Sequence, residues 1–309
     1  MPTRPPMSSR WLPLLALLAA SVAGAGQQIY RWVDAKGEVH FTDQAHAAVG
    51  AAALGIRVPP ADAGSLAELQ IQRNADATSD VYVTNRLGGP VELALAFTEA
   101  SNVQALPSLP LQQVVGANQR VLISRIQSQV AGQPASFALG MSTLPGDPAA
   151  EPRDVVYSLP VDEHRAWRLG QEFHGGFSHN DEQNQYAVDL VVDEGTPVLA
   201  ARGGVVMQVE SGFDRAGLDR QKFAQRANLI RILHDDGSMA VYAHLQENGV
   251  YVRVGDRVSL GQVIGASGNT GFSSGPHLHF CVQVNRGMRL VSIPFRMIGP
   301  GGFLPLPGR

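Results

Sequence analysis

Apolar and polar positions alternate along much of the chain, which predicts strands rather than helices. Between residues 66 and 160, apolar positions recur every second residue in Val81–Val83 and Val91–Phe97, on either side of the turn signal Gly88-Gly89-Pro90. Further strands are predicted at 120–126, 135–142 and 154–159. Short strands at this spacing predict a β-sandwich over residues 66–160. It shows no cluster of catalytic side chains, so we interpret it as a spacer or targeting domain.

The alternation continues from residue 165 to about 300. Strands are predicted at 186–192, 197–209, 228–234, 239–245, 250–254, 262–266 and 278–284. One helix is predicted, in the polar insertion at about 214–226, which we expect near the rim of any cleft. The predicted fold is mainly β, with an N-terminal β-hairpin module and β-sandwich before a C-terminal antiparallel β-sheet domain at 165–300.

The first 25 residues predict a signal peptide. Arg4 and Arg10 provide the positive start, an apolar run follows from Trp11 to Val22, and small residues precede a cleavage site after Ala25, with cleavage after Ala23 as the alternative. The run is shorter than the ~20 apolar residues of a membrane span, although an uncleaved anchor is the alternative. We expect an exported protein of the periplasm or cell envelope, which touches the membrane only transiently through this segment.

Residues 26–65 predict a small β-hairpin module and a linker. Aromatic and branched residues flank the turn signal Lys36-Gly37, and Ala, Gly and Pro dominate from residue 46 onward. The hairpin resembles a small module of uncharacterised role that is common at the start of exported bacterial proteins. Because a lone hairpin is only marginally stable, we expect it to pack on another part of the protein.

Charge and cysteine content narrow the function classes. Loss of the signal peptide would leave 22 basic and 27 acidic residues, a net charge of −5, which argues against a nucleic-acid partner. The single cysteine, Cys281, cannot form an intramolecular disulfide. It follows an apolar alternating stretch and is predicted to be a small buried core residue, with a reactive nucleophile as the alternative.

Histidines cluster in the C-terminal region, where six of the nine lie between residues 174 and 279. In a strand, His277 and His279 would project to the same face while Leu278 faces the core. Neutral imidazole is a good zinc ligand, so the pair predicts a metal site. The alternative is a solvated pair on an exposed strand.

Two further residues extend this constellation. Asp189 lies inside the apolar strand pattern of 186–192, where a carboxylate is costly to bury unless it is paired or bound to a metal. Its expected partner is His179; a bond to a nearby backbone amide is the alternative. His244 ends an alternating pattern and can face the same cleft, although a strand histidine taken alone is more often structural.

Together these residues resemble the lysostaphin-like (LytM-type) zinc metallopeptidases. The matching stretches are His179 with YAVDLVVDEGTPVLAARGGVV, then NLIRILHDDGSMAVYAHL, then VRVGDRVSLGQVIGASGNTGFSSGPHLHF. They cover about residues 175–285. The resemblance implies one zinc ion per chain and the following roles: metal ligands His179, Asp189 and His279; catalytic residues His244 and His277; substrate-binding residue Asn228.

One departure from the family pattern concerns the first ligand. Many members place a histidine four positions before the aspartate, where this chain has Gln185. The ligand must therefore be His179, reached over a longer loop, and His174 is the alternative.

The resemblance implies a zinc-dependent endopeptidase that hydrolyses amide bonds in peptidoglycan cross-links by metal-activated water, with D,D-cross-links preferred over glycine bridges. The main alternative is a non-catalytic LytM-type regulator of another cell-wall hydrolase, although such proteins typically lack zinc ligands. A carrier module is a second alternative, since 250–265 resembles a lipoyl-type hairpin, but the only lysine of the region is Lys222 in the insertion. A purely structural zinc site would normally have four Cys or His ligands.

Overall fold

The computed structural model describes residues 30–33, 39–42 and 66–307. The predicted signal peptide, residues 1–25, lies outside the described residues. Within the predicted hairpin module, strands β1 (Tyr30–Val33) and β2 (Val39–Thr42) pair antiparallel. Across the described ranges, no helix has the length and apolar character that a membrane crossing requires.

Two sheets form a sandwich between residues 67 and 145. Their strands are β3 Ala67–Arg73, β4 Ser79–Asn85, β5 Val91–Ser101, β6 Val103–Leu106, β7 Leu111–Val115, β8 Arg120–Ser128 and β9 Ser136–Pro145. One sheet has the order β3-β4-β8-β6 and the other β7-β5-β9. Alternate residues such as Val81, Val83, Leu93 and Leu95 are fully buried between them. Burying one face of each strand explains the period of two in the sequence.

A ten-stranded antiparallel sheet dominates the C-terminal region. The elements from residue 156 onward are β10 Val156–Ser158, β11 Arg168–Leu169, β12 Ala187–Val191, β13 Pro197–Leu199, β14 Gly204–Glu210, β15 Ala216–Gly217, α1 Arg220–Phe223, β16 Asn228–Leu233, β17 Met239–Val250, β18 Arg257–Val258, β19 Val263–Ser267, β20 Gly271–Phe272, β21 Leu278–Asn285, β22 Leu290–Ser292, β23 Arg296–Gly299 and β24 Gly302–Phe303. The main path is β11-β12-β21-β17-β16-β14-β18; β13 pairs with β19, β19 with β17, and β22 with β21. Strands β10, β23 and β24 form a separate small sheet.

The two faces of the large sheet have different roles. Strand β21 sends Leu278 and Phe280 into the main apolar core, which they share with Tyr242 and Ile230. Alternate positions, beginning with His279, lie on the opposite face. That second face continues toward the sandwich, because Met207 and Met239 of the large sheet pack into the sandwich core.

The structure corrects four predicted elements. The strand expected at 154–159 as part of the sandwich is β10, which pairs with β23 of the C-terminal region instead. The strand expected at 197–209 is interrupted between Leu199 and Gly204, so it forms β13 and β14, which pair with different neighbours. The strand expected at 250–254 is absent: β17 ends at Val250 and the chain then runs into a turn at Gly255, whose φ of +93° favours glycine. The helix expected over 214–226 is only the single turn α1, because the insertion has no apolar face to bury.

Candidate metal centre

Strand pairing brings two of the predicted ligands together. In the β12–β21 ladder, Asp189 lies directly opposite His279. The Asp189 Oδ1 atom is 3.0 Å from His279 Nδ1. Both side chains are buried, so the polar atoms face each other in a part of the protein that is poor in water.

The third predicted ligand, His179, comes from the loop between β11 and β12. Its ring is completely buried, and Nε2 lies 3.1 Å from Asp189 Oδ1 and 3.3 Å from His279 Nδ1. The other ring nitrogen, Nδ1, is 2.8 Å from the carbonyl oxygen of Glu172. Because a carbonyl can only accept, Nδ1 carries the proton and Nε2 presents a lone pair to the cluster.

The chemistry of this cluster fits a cation. Two imidazole nitrogens and a carboxylate oxygen converge from His179, Asp189 and His279. Lone pairs packed this closely repel one another unless a positive charge lies among them, and two histidines with one carboxylate form a donor set that suits zinc. Burial by itself raises the pKa of Asp189, but the adjacent imidazoles of His179, His279 and His277 outweigh it and hold the pKa well below the ordinary value. The carboxylate is therefore ionised, as a metal ligand must be.

His277 lies beside the three ligands, just before β21 begins. Its Nδ1 donates to the carbonyl oxygen of Gly275 at 2.8 Å, which leaves Nε2 free as an acceptor. That Nε2 lies 3.7 Å from Asp189 Oδ1, so it points toward the cluster without joining its tight core. An isolated bridge between Gly268 and His277 holds the backbone there.

His244 reaches the site because of a β-bulge in β17. Asn228 pairs with Leu245 and Leu229 with Ala243, so His244 is the extra residue between them, with a φ of +62°. A bulge re-aims a side chain, and this one places the His244 ring 4.6 Å from the His277 ring, centroid to centroid. The His244 Nδ1 donates to Thr270 O at 2.6 Å, so its Nε2 is also the unprotonated atom. Burial, and then the neighbouring His277 and His279, lower the pKa of His244 to about 3.

Asn228 lies under the bulge rather than at the cleft surface. Its side chain is 0 % exposed. The Asn228 amide donates to the carbonyl oxygens of Phe213 and Leu245 and accepts from the Phe213 N–H. The substrate-binding role of Asn228 stays a prediction. These contacts join the bulge to the start of the insertion. Asn228 can therefore position His244 through the backbone of the bulge.

A cleft of about 600 Å³ opens beside the cluster. Asp189 and His277 line it, together with two aromatic side chains, Phe177 and Phe272, whose stacked rings lie 5.3 Å apart. The insertion reaches this rim, because β15 pairs in parallel with the Phe272 strand β20 and Arg220 lies 5.2 Å over the Phe272 ring. The sequence pattern did not single out this aromatic pair, since both residues lie in glycine-rich stretches without apolar alternation.

Two of the six clustered histidines lie away from the metal cluster and its two flanking histidines. His174, the alternative ligand, packs against the ring of Tyr186 at a centroid distance of 4.9 Å. His234 is 3 % exposed, and its Nδ1 donates to Gly203 O at 2.9 Å. In the described part of the chain, the three residues that could hold a metal together are His179, Asp189 and His279. Cys281 is buried, as the sequence predicts, and burial raises the pKa of its thiol to about 12, which does not suit a nucleophile.

The buried His234 makes stability depend on pH. Its Nε2 has no hydrogen-bond partner among the described residues, and burial lowers its pKa to about 4. In the unfolded chain this histidine has a pKa of about 6.5, so below that pH it binds a proton that it does not bind in the folded protein. We therefore expect the free energy of unfolding of the metal-free protein to fall by about 2 kcal/mol between pH 7 and pH 5 through this residue.

Urea unfolding of wild type and His234→Asn at both pH values measures this contribution. Asparagine can keep the donor to Gly203 but does not titrate, so the variant should lose about 2 kcal/mol less on acidification, while the site histidines contribute equally to both proteins. An equal pH dependence in the two proteins would contradict a neutral buried His234.

The fold and the cluster define the C-terminal region as a mainly β domain with a buried His/Asp/His site, flanked by two further histidines, at the edge of a cleft. Residues 183–289 match the model of Peptidase family M23, and the similar curated proteins include lysostaphin and a glycyl-glycine endopeptidase, which supports a lysostaphin-like (LytM-type) peptidase domain. Residues 14–68 match the model described as Domain of unknown function (DUF4124).

The matches to curated relatives each cover roughly a third of this chain. Glycyl-glycine endopeptidase ALE-1 of Staphylococcus capitis is 42% identical over 103 residues, which cover 33% of this chain and 25% of the relative. Peptidoglycan DD-endopeptidase ShyA of Vibrio cholerae is 34% identical over 124 residues, 39% of this chain and 25% of that protein. A solved structure of lysostaphin from Staphylococcus simulans has 34% identity and a TM-score of 0.30, over 38% of this chain and 43% of that one. The chain thus spans about a quarter of the two curated relatives.

Proposed function

We propose that the protein is an exported zinc-dependent endopeptidase that hydrolyses amide bonds in peptidoglycan cross-links. One observation carries the proposal: three lone pairs converge from His179, Asp189 and His279 beside a cleft that His277 lines, with the His244 ring packed against His277. The names of the relatives support the substrate class, because they include endopeptidases of peptidoglycan and of glycyl-glycine bonds. The reaction we favour is cleavage of D,D-cross-links.

The zinc site would be formed by His179 Nε2, one oxygen of Asp189 and His279 Nδ1. A zinc ion held there would supply Lewis acidity and lower the pKa of a water molecule to roughly 7. Three protein ligands leave a position open, as in catalytic rather than structural zinc sites. Within the described residues, all three ligands and both flanking histidines are in place, which favours an enzyme over a non-catalytic regulator.

The two flanking histidines, His244 and His277, would transfer the proton from the attacking water to the leaving amine. Backbone carbonyls hold Nδ1–H of both His244 and His277, so Nε2 of each ring faces the site without a proton. Such an atom can accept a proton from the attacking water and then donate it to the leaving amine nitrogen. Once protonated, the same Nε2–H can donate a hydrogen bond to the oxygen that gains negative charge. The Phe177–Phe272 wall would restrict how water and peptide enter the cleft.

Digestion of purified peptidoglycan tests the proposal. The zinc-loaded protein should release soluble fragments, a chelator should stop the release, and added zinc should restore it. Mass analysis of the fragments distinguishes cleaved D,D-cross-links from cleaved glycine bridges. Zinc-loaded protein that releases no fragments, or release that a chelator leaves unchanged, would rule out the zinc peptidase.

A further inference from the structure

The side chain of Gln171 connects two of the three ligands of the candidate metal centre. It follows β11, and its amide makes four hydrogen bonds. The Nε2 donates to Asp189 Oδ2 at 3.1 Å and to Ser178 Oγ at 2.8 Å. The Oε1 accepts from the backbone N–H of Phe177 at 2.9 Å and of Ser178 at 3.2 Å. All donor and acceptor positions face the site or the loop that carries His179.

The first contact fixes the orientation of the Asp189 carboxylate. Oδ1 is the oxygen that faces His179 and His279, whereas Oδ2 is held by Gln171. The backbone strengthens the link, because the N–H of Asp189 donates to the carbonyl oxygen of Gln171 at 2.8 Å. With Oδ2 engaged, the carboxylate presents one oxygen to the cluster instead of rotating.

The second contact fixes the segment that carries His179. A ligand placed four residues before Asp189 would be positioned by its short distance to β12, but that position is Gln185 in this chain. His179 is ten residues from Asp189 and needs another anchor. The side-chain oxygen of Gln171, Oε1, provides it by accepting hydrogen bonds from the two backbone N–H groups that immediately precede His179. Gln171 thus supplies the anchor that the longer loop between His179 and Asp189 requires.

Gly175 leaves the space that Gln171 occupies. A Cβ atom at this glycine would lie 2.1 Å from Gln171 Cγ and 2.7 Å from its Oε1. The backbone of Gly175 does not have a positive φ, so the restriction comes from the Gln171 side chain and not from backbone strain. The loop therefore contains a second position through which the Gln171 contacts can be perturbed.

We propose that Gln171 is a positioning residue that holds Asp189 and the His179 loop in the geometry needed for metal binding. The inference rests on the proposed zinc function. Loss of a hydrogen-bond partner of a metal ligand typically lowers metal affinity by about 10–100-fold. A glutamine that only stabilised the loop would change the unfolding temperature without a selective effect on zinc.

The test compares zinc dissociation constants, measured by competition with a chromogenic chelator, for wild type, Gln171→Ala, Gln171→Met, Gly175→Ala and the double variant Gln171→Ala/Gly175→Ala. Each single variant should bind zinc about 10–100-fold more weakly. The double variant should bind no more weakly than Gln171→Ala, since removing the side chain frees the space that the new methyl needs. Gln262→Ala is the matched control, because Gln262 Oε1 also accepts a backbone N–H, that of Ser259, in a turn outside the site. It should bind zinc like wild type.

The outcomes separate the two proposals. Zinc affinity within about twofold of wild type in Gln171→Met and Gly175→Ala, or additive losses in the double variant, would overturn the positioning role while leaving the zinc peptidase intact. A wild-type protein that binds no zinc would overturn both. Unfolding of the metal-free proteins shows whether each variant is folded, and Gln171→Met preserves most of the side-chain volume if Gln171→Ala does not fold.

Discussion

His279→Ala should lose both zinc and peptidoglycan hydrolysis. The variant removes the Nδ1 atom that lies 3.0 Å from Asp189 Oδ1 and 3.3 Å from His179 Nε2, so two ligands remain. The loss of affinity should exceed the roughly 10–100-fold that removal of an outer hydrogen-bond partner costs. Metal analysis of the purified variant and fragment release from peptidoglycan measure the two effects. Hydrolysis should fall to the background of the chelator-treated wild type.

His174→Asn is the matched control for this experiment. His174 belongs to the same histidine-rich segment, but it packs on Tyr186 outside the cluster, and asparagine tolerates its φ of +60°. This control should retain zinc and activity, and both metal-free variants should show the circular dichroism of the wild type. A full zinc content in purified, folded His279→Ala would remove the ligand assignment on which the proposed function depends.

The mainly β fold could be predicted because its strands bury one face. Leu278 and Phe280 alternate with His279 along β21, and this alternation is visible in the sequence before any contact is known. Asp189 and His279 were also recognisable, since carboxylate and imidazole groups inside apolar strands are unusual without a partner. Local patterning and elementary electrostatics were enough for these two residues, whereas His179 lies in a loop and was predicted as a ligand from the resemblance to the LytM-type peptidases.

The features that the sequence did not reveal depend on contacts between distant segments. The bulge at His244 arises where β17 changes register against β16, and Thr270 and Asn228 hold it from other parts of the chain. Gln171 lies in a stretch with no motif, and its role depends on loop residues that fold back on it. The prediction of a helix over the insertion was wrong for the same reason. The insertion is organised by the pairing of β15 with the distant strand β20 rather than by helix propensity.

His244→Asn should keep zinc and lose most of the hydrolytic activity. His244 contacts the cluster through its ring but is not among the three residues that could hold the metal together, so zinc content should equal that of wild type. Asparagine is the suitable replacement because it accepts the left-handed φ of +62° that the bulge requires. Removing the Nε2 atom that would take the proton or steady the oxyanion should lower kcat by about 10²–10³-fold.

A comparison of kcat with KM separates this role from a structural one. If His244 acts on the reacting groups, the KM for a soluble cross-linked peptide should change little while kcat falls, because the cleft wall formed by Phe177 and Phe272 is untouched. Loss of zinc in His244→Asn would instead identify His244 as a metal ligand. If the activity of His244→Asn is within a few-fold of wild type, His244 does not transfer the proton. His277, whose Nε2 also faces the cluster, would then perform the transfer alone.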